Sequence, residues 1–286
     1  MASARRLIVC ADDFGLDLAV NEAVEAAHRD GILTCTSLMV GAPAAADAAE
    51  RAKRMPTLAV GLHLTLVDGR PVLPRDQIPD LVDAQGAFDN RMALQGARFF
   101  FLPNVRRQLS AEIRAQFEAF RATGLPLDHV NAHKHFHIHP TIARLAIEIG
   151  RDYGIKAMRV PAEPTAVLRQ AAAAEGLAIR APLYAPWIEL LRRKIKRAGL
   201  AVNDHMLGLA WTGGMTEARV LRMIDALPEG VSELYSHPAV TQSQALKRAM
   251  PSYRPMDEQA ALVSPAVRER IAERGIDLIA YRDLVS

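Results

Sequence analysis

Short apolar runs alternate along the chain with longer stretches in which apolar positions recur at helical spacing. Arg6-Leu7-Ile8-Val9-Cys10-Ala11 reads as a buried strand, and the pattern from Ala19 to Arg29 predicts a helix that stops at Asp30-Gly31. The unit then repeats. A strand near Ile32–Val40 precedes an Ala-rich helix reaching Arg54, a strand at Leu58–Leu66 is followed by a helix at Val105–Ala122, and a strand at Leu127–Ala132 by a helix at Thr141–Tyr153. Ile155–Val160, Val231–Ser236 and Ile276–Tyr281 read as further strands, with helices at Glu217–Leu227 and Ser264–Arg274. About seven parallel strands joined by helices fit one α/β barrel or one doubly wound sheet. The expectation taken forward is an α/β fold of one domain over residues 1–286, a TIM-like (β/α) barrel that is irregular or seven-stranded.

Two segments break the rhythm: 67–104, punctuated at its start by Gly69, Pro71 and Pro74, and 161–216, which holds both tryptophans. Long connections of this kind in a compact α/β domain are commonly lids or binding loops. With 50% hydrophobic and 23% charged residues in 286, the composition excludes disorder and low complexity. A net charge of +3 gives no reason to expect nucleic acid as a partner. No apolar run reaches the roughly 18 uncharged residues of a membrane span. Met-Ala-Ser-Ala-Arg-Arg enters the first strand without a signal-peptide core, so the expected location is the cytoplasm. Cys10 and Cys35 lie inside strand-like runs and read as buried thiols, neither disulfide nor nucleophile.

Ionisable residues collect where strands end. Asp12-Asp13 follows the first strand, His63 closes the third, His133-Lys134-His135-Phe136-His137-Ile138-His139 follows the fourth, Arg159 ends the fifth and His237 follows Ser236. In an α/β barrel these ends share one face. Alternate residues of His133–His139 would share a side of an extended segment, and such a His-rich tract points to metal or polyhydroxyl contacts. His28 and His129 read as ordinary helix-surface and strand residues. Imidazoles and a carboxylate suit zinc, iron or another transition metal, and three protein donors with positions left open mark a catalytic site. One Asp and two His suffice for such a site, leaving a second Asp as base and a later His as acid, which is a set for hydrolysis. Dinucleotide, NTP-binding and serine-hydrolase motifs are absent, as is His-Glu-x-x-His.

Leu7–Gly15 with its Asp-Asp-Phe-Gly, Gly61-Leu62-His63-Leu64, the His133–His139 cluster and Ser236-His237-Pro238, in that order, resemble the YdjC-like (ChbG) carbohydrate deacetylases. Pro71–Pro74, Arg98–Pro103 and Leu127–Asn131 resemble most the hopanoid-biosynthesis-associated branch (HpnK). The resemblance implies removal of acetate from an N-acetylglucosaminyl hopanoid by one divalent metal, zinc in first place and magnesium as the alternative. It implies Asp13, His63 and His133 as metal ligands, Asp12 as base and His237 as acid. Asn131-Ala132-His133 departs from the Asp-Ser-His of many relatives, which puts the partner of His133 in question.

A lipid substrate also accounts for the two insertions. Phe99-Phe100-Phe101 is flanked by Arg98, Arg106 and Arg107, and Trp187–Arg197 combines the apolar stripe Trp187, Leu190, Leu191 and Ile195 with five cations. Such basic amphipathic elements suit the surface of an anionic membrane at its inner face. His135, Arg159, Phe100 and Trp187 are the expected substrate contacts. A deacetylase of soluble chitooligosaccharides, a non-haem iron oxygenase with the same donor types, and a non-catalytic metal-containing sugar- or lipid-binding protein are the alternatives.

Overall fold

The computed structural model describes residues 5–176 and 184–285; the first four residues, and 177–183 of the second expected insertion, lie outside the described residues. Seven strands form one sheet: β1 (Arg5–Phe14), β2 (Cys35–Leu38), β3 (Ala59–Leu64), β4 (Leu127–Ala132), β5 (His205–Leu207), β6 (Gly230–Ser236) and β7 (Asp277–Ile279). Their order is β4-β3-β2-β1-β6-β5, with β7 added to β1. All ladders are parallel. The centre is β1, which pairs with β6 along Arg5–Ala11, with β7 along Arg6–Ile8 and with β2 from Cys10 onward. Every residue from Leu7 to Phe14 is buried, as expected of a strand covered on both faces.

The sheet curls into a barrel whose last gap is closed without a ladder. Ile155–Val160, expected as a strand, forms only isolated bridges, Val130 with Met158 and Ala157 with Ala201. Val130 N–H donates to Ala157 O at 3.1 Å, Arg159 N–H to Val130 O at 3.1 Å and Met158 N–H to Ala201 O at 3.0 Å. Beyond them a side chain replaces the ladder: Val160 N–H donates to Asn203 Oδ1 at 2.7 Å, and Asn203 Nδ2 donates to Val160 O at 2.9 Å. The segment 161–216 is therefore not wholly an insertion, because it contains framework strand β5.

Helices at Leu18–Asp30, Ala45–Lys53, Pro103–Ala122, Pro140–Gly150, Glu217–Asp225 and Pro265–Glu273 appear where periodicity predicts them. Asp17 caps the first, accepting from Ala19 N–H at 2.8 Å. Val105, Leu109, Ile113, Phe117 and Phe120 give Pro103–Ala122 its buried stripe. The insertions add helices Met92–Phe101, Thr165–Ala172 and Ala185–Arg197.

Three expectations about these helices change. In Ala185–Arg197 the buried face is Ile188, Leu191 and Ile195, whereas Trp187 and Leu190 stay exposed. Arg192 is no solvated cation: it donates to Asn203 O at 2.6 Å and Asp204 O at 2.7 Å, pinning the helix to the chain entering β5. Phe99, expected at a lipid surface, is buried against Phe136, with ring centroids 5.7 Å apart, while Phe100 and Phe101 point outward.

Gly61 on β3 shows how tight the interior is. A Cβ there would stand 2.5 Å from the His129 ring. Gly61→Ala should cost roughly 1–3 kcal/mol through overpacking, read as a lowered urea midpoint. An unchanged midpoint would mean that the ring moves aside freely.

Candidate active site

The ends of β1, β3, β4 and β6 deliver Asp12, Asp13, His63, His133 and His237 to one pocket of about 260 Å³. His135, Lys134, Thr212, Tyr235, Met250 and Tyr253 complete its walls. Consecutive residues of a strand point to opposite faces, so two adjacent aspartates should not share a pocket. They do because Asp13 adopts φ +64°, in the left-handed region. The β1–β2 register shifts at the same place, between Ala11 and Phe14. A non-glycine residue held in this way stores on the order of 1–3 kcal/mol and depends on surrounding structure to persist.

Asp13 Oδ1 lies 3.2 Å from His63 Nε2 and 3.0 Å from His133 Nδ1, and one donor atom from each of the three falls within 4.8 Å of the others. Burial alone would raise the Asp13 carboxyl, but His133 and His63 hold it well below the usual carboxylate range. Its Oδ2 is buried with no hydrogen-bond partner. His63 Nδ1 is set from behind by Ser37 Oγ at 3.0 Å and by the Asn131 amide at 2.7 Å. With its oxygen toward His63 that amide accepts from Nδ1–H, the tautomer in which Nε2 is free for a cation; turned round, its oxygen accepts from Arg159 instead. Asn131, whose identity put the partner of His133 in question, thus serves His63.

Asp12 is locked from below. Arg159 Nη1 donates to Asp12 Oδ2 at 2.6 Å, Nη2 to Oδ1 at 2.8 Å, and Ser37 Oγ to Oδ1 at 2.9 Å. The same guanidinium binds Glu233 through Nε at 2.9 Å and Nη2 at 2.5 Å, and Glu233 also accepts from Tyr281 Oη at 2.6 Å. Burial pushes the Asp12 carboxyl up, yet Arg159 and His63 overrule it and hold the group well below its usual range. Arg159 was expected to touch substrate. It is fully buried and committed to two carboxylates, so it orients Asp12 instead.

His237 leaves β6 with its backbone N–H donating to Glu258 Oε2 at 2.5 Å, and Glu258 Oε1 accepts from Met215 N–H at 2.9 Å. Burial raises the Glu258 carboxyl. The His237 ring packs against Tyr235 at 5.3 Å and Tyr253 at 5.0 Å. Sequence reasoning missed Glu233, Glu258, Tyr253 and Thr212. Only Glu233 left a signal, a charge in the middle of an apolar strand.

The histidine cluster is not extended. Lys134 and His135 have φ of +52° and +53°, and His133–Ile138 coils into a tight helical turn that sends its imidazoles in different directions. His133 and His135 line the pocket, with the His135 ring 5.1 Å from that of Tyr235. His137 is buried with Nε2 3.1 Å from Arg159 O, and burial followed by the charge of Arg159 lowers it to about 3. His139 joins Phe100, Phe136, Ile138 and Trp187 in an apolar groove of about 460 Å³ that shares no lining residue with the polar pocket. Trp187 Nε1 donates there to Ile138 O at 2.9 Å. His129, read as an ordinary strand residue, is fully buried and bonded to Asp128.

The YdjC-like protein family model matches residues 6–273. The carbohydrate deacetylase of Geobacillus stearothermophilus is 31% identical over 281 residues, covering 98% of each chain. The carbohydrate deacetylase of Mus musculus is 32% identical over 305 residues, covering 98% of this chain and 95% of that one. A crystal structure of a putative cellobiose-phosphate cleavage protein from Enterococcus faecalis V583 superposes with a TM-score of 0.76 at 28% identity, covering 99% of this chain and all of that one. With a match that runs from β1 to the end of the last long helix and relatives aligned over nearly their full lengths, the chain belongs to the YdjC-like protein family.

Proposed function

We propose that the protein is a metal-dependent carbohydrate N-deacetylase whose substrate is an N-acetylglucosaminyl hopanoid. Membership of the family and the carbohydrate deacetylase name of its relatives make it a hydrolytic enzyme of that class. The observation that carries the metal is the Asp13 Oδ2 atom, buried without a partner beside two imidazoles. Two nitrogens and a carboxylate oxygen suit zinc better than magnesium, which prefers an all-oxygen shell. Asp13, His63 and His133 would hold the ion, which when bound supplies Lewis acidity toward an amide carbonyl and lowers the pKa of water.

The chain's own groups do the rest. Asp12 takes a proton from the attacking water, and its Oδ2 accepts only from Arg159 among the described residues. Arg159 keeps Asp12 ionised and oriented, so it stands as an acceptor, while the same contact lowers its basicity. As the amide C–N bond breaks, His237 gives a proton to the departing nitrogen, and acetate and the free amine leave. Tyr253 and Tyr235 wall the pocket and exclude water around the reacting group.

The lipid part of this reading is supported by the apolar groove on the far side of the histidine turn. Phe100, Phe101 and Leu102 are 50, 71 and 44% exposed and Trp187 is 42% exposed, while the exposed Arg107 lies on the helix that follows the phenylalanines and the exposed Arg193 and Lys196 on the helix of Trp187. These residues fit a hydrocarbon tail and peripheral contact with an anionic leaflet at the cytoplasmic face. No helix among the described residues is long and apolar enough to cross a membrane. A soluble chitooligosaccharide is the second reading. It is favoured by a hollow of about 300 Å³ with Thr65, Asp68 and Arg70 in its wall, which touches the polar pocket at Ala249.

Three experiments test the reading. His63→Ala and His133→Ala should each lose metal and turnover together while far-UV circular dichroism is unchanged; stoichiometric metal in both variants would remove the ligand assignment. Asp12→Asn and His237→Ala should retain metal and lose about 10²- to 10⁴-fold in kcat, and near-normal kcat in either would reassign its role. Trp187→Ala combined with Phe100→Ser should lower kcat/KM for an N-acetylglucosaminyl lipid and spare N,N′-diacetylchitobiose. Unchanged kinetics on the lipid would leave the soluble sugar as substrate.

A further inference from the structure

Beneath the polar pocket a second set of donor atoms fills the barrel interior. Cys10 on β1 and Cys35 on β2 are register partners on neighbouring strands, so both thiols project from the same face of the sheet. His129 comes from β4, two strands further round. It reaches the thiols across β3 because residue 61 there is glycine: a Cβ at that position would lie 2.5–2.6 Å from Cε1, Nδ1 and Nε2 of the ring. Cys10 Sγ is 3.9 Å from His129 Nε2, and the three donor atoms lie within 4.8 Å of one another. All three residues are wholly buried, and both cysteines are free.

The imidazole is held for a task at Nε2. Its Nδ1 is 2.8 Å from Asp128 Oδ2, and Asp128 Oδ1 accepts from the Arg282 backbone N–H at 2.8 Å. Tyr281 stacks on the ring at 4.6 Å. A carboxylate behind a histidine is the arrangement that fixes the tautomer and raises the basicity of a metal-ligating nitrogen. Burial disfavours charge here. Hydrogen bonds from Cys35 and His129 nevertheless bring the Cys10 thiol below its ordinary value, and those of Asp128 and Cys10 push His129 up to about 10. Burial keeps the Cys35 thiol well above its ordinary value, so a cation binding here would displace protons from the thiols.

We propose that Cys10, Cys35 and His129 bind one thiophilic cation, zinc or a metal of similar softness, separately from the Asp13–His63–His133 group. Two thiolates and an imidazole select such ions and reject magnesium and calcium. With Zn–S of about 2.3 Å and Zn–N of about 2.0 Å, tetrahedral geometry sets sulfur and nitrogen about 3.5 Å apart, so the 3.9 Å separation closes with a small side-chain rotation. The bound ion ties β1, β2 and β4 together under Asp12, whose Oδ1 lies 4.0 Å from Cys10 Sγ. Its role is to stiffen the floor of the site, since all three ligands are wholly buried.

Cobalt(II) separates the two sites, because thiolate ligands give intense sulfur-to-cobalt charge-transfer absorption and the Asp-His-His group contains no sulfur. The full chain, produced in cobalt-supplemented medium and also refolded with cobalt, should bind two equivalents and show this band. His63→Ala should drop one equivalent and keep the band. Cys35→Ala should drop one equivalent and lose the band, with Cys35→Ser as the variant of nearly equal volume if the alanine form does not fold. A wild-type protein without the charge-transfer band after both loading routes overturns the site, as does a band that survives undiminished in either Cys35 variant.

Discussion

Arg159 sits fully buried at the centre of the barrel, where loss of hydration would expel an isolated cation, and it stays because Asp12 from β1 and Glu233 from β6 both reach it. Removing one partner from a buried pair typically costs about 3–5 kcal/mol, since the other charge is left stranded. That dependence makes the three residues one unit. It also reinforces a seam that the backbone closes with isolated bridges and no continuous ladder, because Arg159 belongs to the segment between β4 and β5. Tyr281 and Asn203 extend the unit: the tyrosine hydroxyl donates to Glu233 at 2.6 Å, and Asn203 holds Val160 on both sides. A weakly laddered seam is thereby fastened by side chains whose other end fixes Asp12.

Much of the frame was legible because strands covered on both faces are rich in apolar residues, which marks β1 and β3, whereas β4 and β6 carry Asp128, His129, Asn131 and Glu233 and were legible from their place between helical stretches. β5 did not, being three residues long between Asp204 and Gly208. Ile155–Val160 had the composition of a strand, but no composition reveals that its neighbours offer isolated bridges instead of a ladder. At the site, Asp12, Asp13, His63, His133 and His237 were visible because polar residues directly after apolar strands have one face to occupy. Glu258 was not, since it sits on a helix between ordinary surface residues and acts through backbone hydrogen bonds. Arg159 was seen at its strand end, but its partners are 147 and 74 residues away in sequence, which no local pattern encodes.

The reading of the histidine tract failed for a conformational reason. Alternation assumes extended backbone, and left-handed Lys134 and His135 abolish it. Left-handed conformations of residues other than glycine are uncommon and unmarked in sequence. Asp13 follows the same logic, and so does Asp68, at φ +48°, which is ion-paired to Lys134. Asp13 and the Lys134–His135 turn thus line one pocket, and Asp68 joins them through its ion pair with Lys134.

That placement has a consequence for how substrate is held. The turn at Lys134 and His135 splits a seven-residue tract between two environments, with His133 at the polar pocket and His139 in the apolar groove. Had the tract been extended, its imidazoles would have shared one side and the groove would have lost its floor. Trp187 fastens the other wall by donating to the carbonyl of Ile138, so the groove is anchored to the same turn that presents His133. A ligand with a polar head and an apolar tail would therefore meet both parts of a single rigid loop. The left-handed turn at Lys134 and His135 is the structural link between the apolar groove and the placement of His133 in the polar pocket.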